Sequence, residues 1–153
     1  MNIQLMPISD ENKEAVLKLS TREDQPFCAT NRRSLEQAEE ANADCPDLAR
    51  PFAIYADEKA VGFCMFAFDP EAEDEDDRYW LWRFMIDQNE QGKGYGQAAL
   101  AEIIQYFRVH GADRIFLGTE PENECGMHIY HKAGFVETGD MDDGEAVMKL
   151  MLS

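Results

Sequence analysis

The sequence is poor in positive charge. Its 153 residues include 14 lysines and arginines against 31 aspartates and glutamates, which gives a formal net charge of −17. Phosphate groups would be repelled over most of such a surface, so this charge argues against nucleic acid or an anionic membrane as a partner. It favours a cationic ligand, and the alternative, which is the default interpretation, is that the charge only keeps the protein soluble.

Long apolar runs are lacking as well. No stretch reaches the roughly 20 apolar residues that cross a bilayer. The N-terminal segment, MNIQLMPISD, has neither the basic nor the apolar region of a secretory signal. We therefore expect a cytoplasmic protein that binds no membrane. The length and the 44% content of hydrophobic residues predict a single globular domain over residues 1–153.

The four cysteines form no C-x-x-C pair. Such scattered cysteines predict reduced thiols rather than a disulfide framework. His128 and His131 are close together on a predicted helix, but no third ligand lies near them in the sequence. We expect no metal site.

Apolar periodicity predicts the element order β-α-α-β-β-β-α-β-α-β-β, which is an α+β or mixed α/β domain. The strands are predicted at residues 3–8, 51–57, 62–69, 79–86, 114–120, 135–139 and 146–152. Four helices are expected, and their predicted caps are Ser9 for the first (10–20), Ser34 with Gln37 for the second, and Asn123 for the fourth. Residues 69–77 carry seven carboxylates in nine positions and predict a solvated loop.

A glycine-rich loop, QGKGYG at residues 91–96, stands between a predicted strand and a predicted helix. Lys93 is followed by Gly94 rather than by Ser or Thr, so this is not a Walker-type phosphate loop. The spacing disfavours a dinucleotide fingerprint, although Glu120 lies where such a site has its ribose-binding acid. The glycine N–H groups and the helix N-terminus favour a metal-free pyrophosphate cradle with Lys93 as a local positive charge. The structural alternative is a glycine turn that only starts a helix.

Two segments resemble the GNAT N-acetyltransferases. The strand WLWRFMID, the loop and the following helix resemble the family's acetyl-CoA pyrophosphate motif, (Q/R)-x-x-G-x-(G/A), with Gln91, Gly94 and Gly96 in its defined places. Downstream, PENECGMHIYHKAGFVETG resembles the family's N-x-x-A-x-x-x-Y-x-x-x-G-F segment, with matches at Asn123, Tyr130, Gly134 and Phe135. Both motifs lie within residues 79–139. The residues of these segments are most similar to those of bacterial spermine/spermidine (diamine) acetyltransferases.

The resemblance implies a central, mostly antiparallel sheet that is splayed into a V around acetyl-CoA as co-substrate and flanked by about four helices. The pantetheine arm would pair with main-chain groups of Phe84, Met85 and Ile86. The pyrophosphate would lie on the loop and the start of the helix, at Gln91, Gly92, Lys93, Gly94, Tyr95, Gly96 and Gln97. Asn123 and Tyr130 complete the implied acetyl-CoA site. Members are often dimers, so a homodimer is expected, with strand 146–152 as the predicted pairing strand.

The implied reaction is direct attack of a primary amine on the thioester. An alkylammonium has a pKa of about 10.4 and a thiol of about 8.5, so the amine must lose a proton and the leaving thiolate needs a hydrogen-bond donor. Tyr130 lies at the position of the family's general acid. Some polyamine-acetylating relatives carry a carboxylate where this chain has Trp82, so Glu120 is the candidate base here, with a chain of waters as the alternative.

The acceptor is expected to bind along PFCATNRRSLEQAEE, residues 26–40. The candidate contacts are Trp82 and three carboxylates of an otherwise solvated helix face, Glu36, Glu39 and Glu40. A polyamine or diamine is the leading small-molecule acceptor. A protein N-terminus, an amino acid, an antibiotic and a non-catalytic acyl-CoA-binding module are the alternatives. Arg32 and Arg33 indicate either a carboxylate-bearing acceptor or a salt bridge to the acidic helix.

Overall fold

A mixed sheet dominates the computed structural model, which describes residues 2–20 and 30–152. Its strands are β1 (Ile3–Pro7), β2 (Ala49–Ala56), β3 (Lys59–Phe68), β4 (Tyr79–Ile86), β5 (Arg114–Thr119), β6 (Val136–Asp142) and β7 (Glu145–Met151). The helices within the described ranges are α1 (Lys13–Leu17), α2 (Asn31–Asp44), α3 (Tyr95–Val109) and α4 (Glu124–Ala133). This element order confirms the predicted α+β class.

The strands lie in the order β1-β2-β3-β4-β5-β7-β6, and every neighbouring pair is antiparallel except β4–β5. One face of the sheet packs against α3, where the predicted apolar stripe is buried through Leu100, Ile103 and Phe107. The other face packs against α1 and α2 through Val16 and Leu35. The two faces therefore have separate cores, and the sheet lies between them.

The first helix begins later than predicted, and the second begins earlier. Ser9 does not cap α1, because its main-chain N–H donates to Asn12 Oδ1 at 2.9 Å and the chain folds into a turn before the helix starts at Lys13. α2 begins at Asn31, since Thr30 Oγ1 accepts the N–H of Arg33 at 3.2 Å. Ser34 lies buried one turn inside this helix, so the predicted Ser34 capping box is wrong.

The carboxylates of the 69–77 loop are mostly exposed, as predicted, and a short 3-10 turn covers Glu75–Asp77. Arg114, the first residue of β5, binds this turn through Glu75 and Asp76, each at 3.0 Å. The loop is thus fixed at one end of the sheet.

The C-terminal hairpin differs from its predicted role. β7 is hydrogen-bonded to β5 on one side and to β6 on the other. Both of its edges are used, so it cannot add a strand from a second copy, and the predicted dimer pairing through residues 146–152 is wrong. Within residues 2–20 and 30–152, no helix has the length and apolar character needed to span a membrane.

Candidate active site

A cleft opens where β4 and β5 separate. These two parallel strands pair only at Trp80 with Phe116 and at Leu81 with Leu117, and the described ladder ends there. The cleft has a volume of about 160 Å³, and its lining comes from four elements and one strand-to-helix turn. Its lining includes Trp82, Arg83, Phe84, Gly118, Glu120, Asn123, Tyr130 and Glu145. The sheet is therefore splayed at the position that the family resemblance implied.

Trp82 is the extra residue of a β-bulge. In the β3–β4 ladder Met65 pairs with Arg83 and Phe66 pairs with Leu81, so Trp82 has no ladder partner on β3. Alternation would place Leu81 and Phe84 on opposite faces, but the bulge places both toward α3. Trp82 itself packs on the α1–α2 face. A bulge interrupts the ladder and increases local twist, which accounts for the separation of β4 from β5 directly after Leu81.

Tyr130 projects into the cleft from α4. Its ring centroid lies 6.4 Å from that of Phe84 on β4 and 5.9 Å from that of Phe135. The residue is 8% exposed. A phenol held between two aromatic rings has a fixed position relative to β4, as a proton donor to a leaving group there requires.

Asn123 caps the helix that carries Tyr130. Its Oδ1 accepts the N–H of Gly126 at 3.1 Å, as predicted from the sequence. A Cβ at position 126 would lie 2.5 Å from Asn123 Nδ2, so this glycine leaves room for the capping side chain. The main-chain carbonyl of Glu120 accepts the N–H of Asn123 at 2.9 Å. The predicted residues Glu120, Asn123 and Tyr130 therefore belong to one structural unit, and all three line the cleft.

The glycines of the loop have two different roles. Gly92 and Gly94 adopt φ values of +80° and +86°, which L side chains rarely adopt. No described atom lies within 4 Å of a Cβ placed on Gly92, so the loop is open at that point. Gly96 is already helical, and a Cβ there would lie 3.2 Å from Ile129 Cδ1 of α4. Of the three glycines in the predicted cradle, Gly92 and Gly94 thus have positive φ values, while Gly96 allows α3 and α4 to pack closely.

The loop also contains an ionic cluster that the sequence did not indicate. Glu90 is 4% exposed, and its carboxylate binds both Lys59 and Lys93, the latter at 3.0 Å. Hydrogen bonds from Lys59 and then Lys93 lower the pKa of Glu90, and the same ion pair raises the pKa of Lys59. The predicted local charge of Lys93 is therefore held by a buried carboxylate, and Lys59, the first residue of β3, adds a second ammonium beside the loop.

The remaining predicted acetyl-CoA residues lie around the end of β4. Gln91 Nε2 donates to the carbonyl of Ile86 at 3.0 Å, which ties the loop to the strand. The side chain of Met85 is buried on the α1–α2 face, and that of Phe84 packs on the α3 face. The first turn of α3 presents a half-buried Tyr95 and an exposed Gln97.

The predicted acceptor carboxylates lie elsewhere. Glu36, Glu39 and Glu40 are exposed on α2, and Arg33 binds Glu36 at 3.6 Å and Glu40 at 3.2 Å. Among the described residues that line the cleft, none of the three is found. The salt-bridge alternative for Arg33 is thus what the structure shows. Residues 26–29 of the predicted acceptor segment lie outside the described residues.

Two charged residues of the cleft were missed by the sequence analysis. Arg83 of β4 donates to Gln37 Oε1 of α2 at 2.9 Å, and its guanidinium lies 5.8 Å from the ring of Trp82. Glu145, the first residue of β7, has its side chain against Gly118 of β5. Gly118 could have indicated this contact from the sequence, since a glycine inside a strand often marks a place where another group approaches the backbone closely.

No group of three or more potential metal-ligating side chains is found among the residues that the structure describes. A sheet that splits beside an open glycine loop, with a buried tyrosine in the split, is the arrangement that the resemblance to acetyl-CoA-dependent transferases implied. The description of the family whose model matches residues 15–135 is Acetyltransferase (GNAT) family. The chain belongs to this family and is an N-acetyltransferase.

Similar proteins agree with this assignment. The spermine/spermidine N(1)-acetyltransferase of Bacillus subtilis (strain 168) is 31% identical over 153 residues, which cover 97% of each chain. The mycothiol acetyltransferase of Rhodococcus jostii (strain RHA1) is 29% identical over 106 residues, 69% of this chain and 35% of that protein.

Solved structures share the fold. PaiA N-acetyltransferase from Thermoplasma acidophilum, in complex with coenzyme A, has a TM-score of 0.72 at 16% identity and covers 99% of this chain and 100% of its own. Spermidine N-acetyltransferase from Vibrio cholerae, in complex with CoA and spermine, has a TM-score of 0.69 at 17% identity and covers 97% and 95%. The predicted fold is therefore confirmed.

Proposed function

We propose that the protein transfers the acetyl group of acetyl-CoA to a primary amine of a polyamine or diamine. The observation that carries the proposal is the lining of the cleft, where the carboxylates of Glu120 and Glu145 occur with the phenol of Tyr130. A cationic amine requires carboxylates, and acetyl transfer requires a donor at the leaving group. The 31% identity to a spermine/spermidine acetyltransferase over 97% of the chain supports the same acceptor class.

The residues present fit acetyl-CoA. Gly92 and Gly94 have φ values that free their N–H groups for a pyrophosphate, and α3 directs its N-terminus to the same place. Lys59 and Lys93 add positive charge to this end of the loop. Along the C-terminal half of β4, which leads into this loop, the split from β5 leaves a gap that pantetheine would enter. These groups would bind and orient the co-substrate.

The protons lost by the acceptor ammonium determine which groups of the cleft must accept or donate a proton. An ammonium enters with three N–H protons, and the amide product keeps one. Glu120 or Glu145 accepts one proton as the nitrogen is prepared to attack the carbonyl carbon, and this proton passes to solvent. The C–N bond forms, and the C–S bond breaks as Tyr130 donates its phenol proton to the departing sulfur. The second proton leaves the nitrogen as the amide forms and restores the phenol of Tyr130 through solvent. The overall reaction releases one proton for each acetyl group transferred.

The distribution of acidic residues supports a polycationic acceptor. The exposed carboxylates of the 69–77 loop add to a chain of net charge −17, and such a field draws in cations at low ionic strength. Arg83 is the one guanidinium in the described lining of the cleft, against two carboxylates. The carboxylate of an acceptor such as an amino acid would be repelled by this excess of negative charge.

The test is thiol release from acetyl-CoA with a panel of amines. Spermine, spermidine, a diamine, a monoamine, an amino acid and a peptide with a free N-terminus are compared at low and high salt. We expect the highest kcat/KM with the polyamines, and a KM for them that rises with salt more than that of the monoamine. Preference for the peptide or the amino acid would reject the polyamine acceptor and leave the acetyltransferase activity in place.

A further inference from the structure

Glu145 enters the cleft because position 118 is a glycine. A Cβ on Gly118 would lie 2.9 Å from Glu145 Oε1, 3.3 Å from its Cβ and 3.4 Å from its Cδ. The side chain of Glu145 thus lies flat over the main chain of β5. The φ of Gly118 is not in the left-handed region, so backbone conformation does not require glycine at this position. The space it leaves is filled by a carboxylate.

Charged groups from several elements surround this carboxylate. Arg83 of β4 faces it across the cleft, and Glu120 follows the last residue of β5. Asp142 is the last residue of β6, and Asp143 lies in the β6–β7 turn. Burial raises the pKa of Glu145 above its ordinary range, Arg83 opposes that rise, and the three neighbouring carboxylates add to it. Tyr130 lines the same cleft from α4. A carboxylate with a raised pKa is a stronger base than a solvated one.

We propose that Glu145 is the residue that accepts the proton of the acceptor amine, and that Glu120 binds the cationic acceptor beside it. The inference rests on the proposed function and assigns its base. Both residues are half-buried, and the division is supported by their placement, since Glu145 packs against Gly118 inside the cleft and Glu120 lies just after the end of β5. The acceptor N–H bond breaks, its proton moves to a Glu145 oxygen, and the nitrogen lone pair forms the bond to the acetyl carbon.

The test compares Glu145→Gln, Glu120→Gln and Gly118→Ala by steady-state kinetics from acid to alkaline pH. Wild-type kcat/KM for the amine is expected to rise with pH through the raised pKa of Glu145. Glu145→Gln should lose that limb, and its kcat/KM at neutral pH should fall about 100-fold, the usual size of a base contribution. The KM for acetyl-CoA should not change.

Gly118→Ala tests the position of the Glu145 carboxylate without removing its charge. The new methyl group displaces the Glu145 carboxylate but leaves it in the protein, so kcat/KM for the amine should fall here as well. Glu120→Gln should raise the KM for the amine and keep the pH profile. Glu137→Gln is the matched control, since Glu137 is exposed on the neighbouring strand β6. Melting temperatures of all variants report whether they are folded.

A wild-type pH profile in folded Glu145→Gln would overturn the proposal, and so would a loss of the acidic limb in Glu120→Gln alone. Failure of the proposed acceptor class can be distinguished from failure of the role proposed for Glu145. If no polyamine turns over in the wild-type protein, the same variants are compared with the primary amine that is acetylated fastest. The role of Glu145 is then decided with that amine.

Discussion

Lys93 Nζ lies 3.0 Å from Glu90 Oε2, and the side chain of Glu90 is only 6% exposed. The other oxygen of the same carboxylate binds Lys59. One buried carboxylate therefore holds two ammonium groups beside the open glycines. Two lysines are thus held beside the glycine loop in a protein whose overall charge is −17.

Replacing Glu90 with Gln should lower the stability of the protein in a pH-dependent manner. The folded protein lowers the pKa of this carboxyl, so its stabilising contribution is present above the unfolded pKa and is lost as pH falls through the lowered folded pKa. Melting temperatures should thus differ between wild type and Glu90→Gln at neutral pH and converge in acid. Glu102→Gln, an exposed site on α3, is the control. A difference that persists unchanged into acid would reject the ion pair as its source.

Gly92→Ala should weaken acetyl-CoA binding, whereas Gly111→Ala should not. The two glycines have φ of +80° and +88°, and no described atom lies within 4 Å of a Cβ on either. Both substitutions carry the same backbone strain, about 1–2 kcal/mol of stability. Only Gly92 belongs to the loop, so only its variant should raise the KM for acetyl-CoA. Equal KM values in both variants would remove Gly92 from the cradle.

Tyr130→Phe should reduce kcat by about 100-fold or more, the typical size of an acid contribution, with little change in the KM for acetyl-CoA. The substitution keeps the ring contacts with Phe84 and Phe135. Tyr106→Phe is the control, since Tyr106 is a tyrosine of α3 whose hydroxyl accepts from Arg50 at 3.3 Å, away from the cleft. A Tyr130→Phe variant with wild-type kcat would show that the phenol does not act on the leaving group.

The effect of Gly126→Ala on stability should depend on whether Asn123 is present. Alanine in a helix is favoured over glycine by about 1 kcal/mol. In the wild-type protein a Cβ would displace Asn123 Nδ2, and loss of the cap costs about 1 kcal/mol. The two effects should cancel. In an Asn123→Ala background there is no cap to lose, so Gly126→Ala should stabilise the protein, which chemical denaturation measures. Equal effects in the two backgrounds would contradict the steric role of Gly126.

Local patterns in the sequence predicted the elements that depend on local chemistry. The strand predicted at 79–86 is β4, and Asn123 caps α4 as expected. The apolar spacing after the loop gave α3 and its buried face. The start of α2 was misassigned because Thr30 and Ser34 both suit a cap, and only burial of Ser34 by the core decides between them.

The cleft itself depends on contacts between distant segments. The bulge at Trp82 is defined by its pairing with β3, which no pattern within β4 reveals. Glu145 is 27 residues from Gly118 in the chain, and the two meet only because β7 pairs with β5. The family resemblance supplied Tyr130 and the loop. Glu145 lies in the segment DGE, which also resembles the spermine/spermidine acetyltransferases, but the resemblance gave it no role, and Lys59 lies outside the segments that resemble the family.

The bulge has a consequence for how such a site arises. Tyr79, Leu81, Phe84 and Ile86 share one face of β4. If Trp82 were deleted, ordinary alternation would keep each of them on that face. The strand would regain unbroken pairing with β3, and the ladder to β5 could continue past Leu81. One additional residue in β4 therefore coincides with the point at which the β4–β5 ladder ends and the cleft opens.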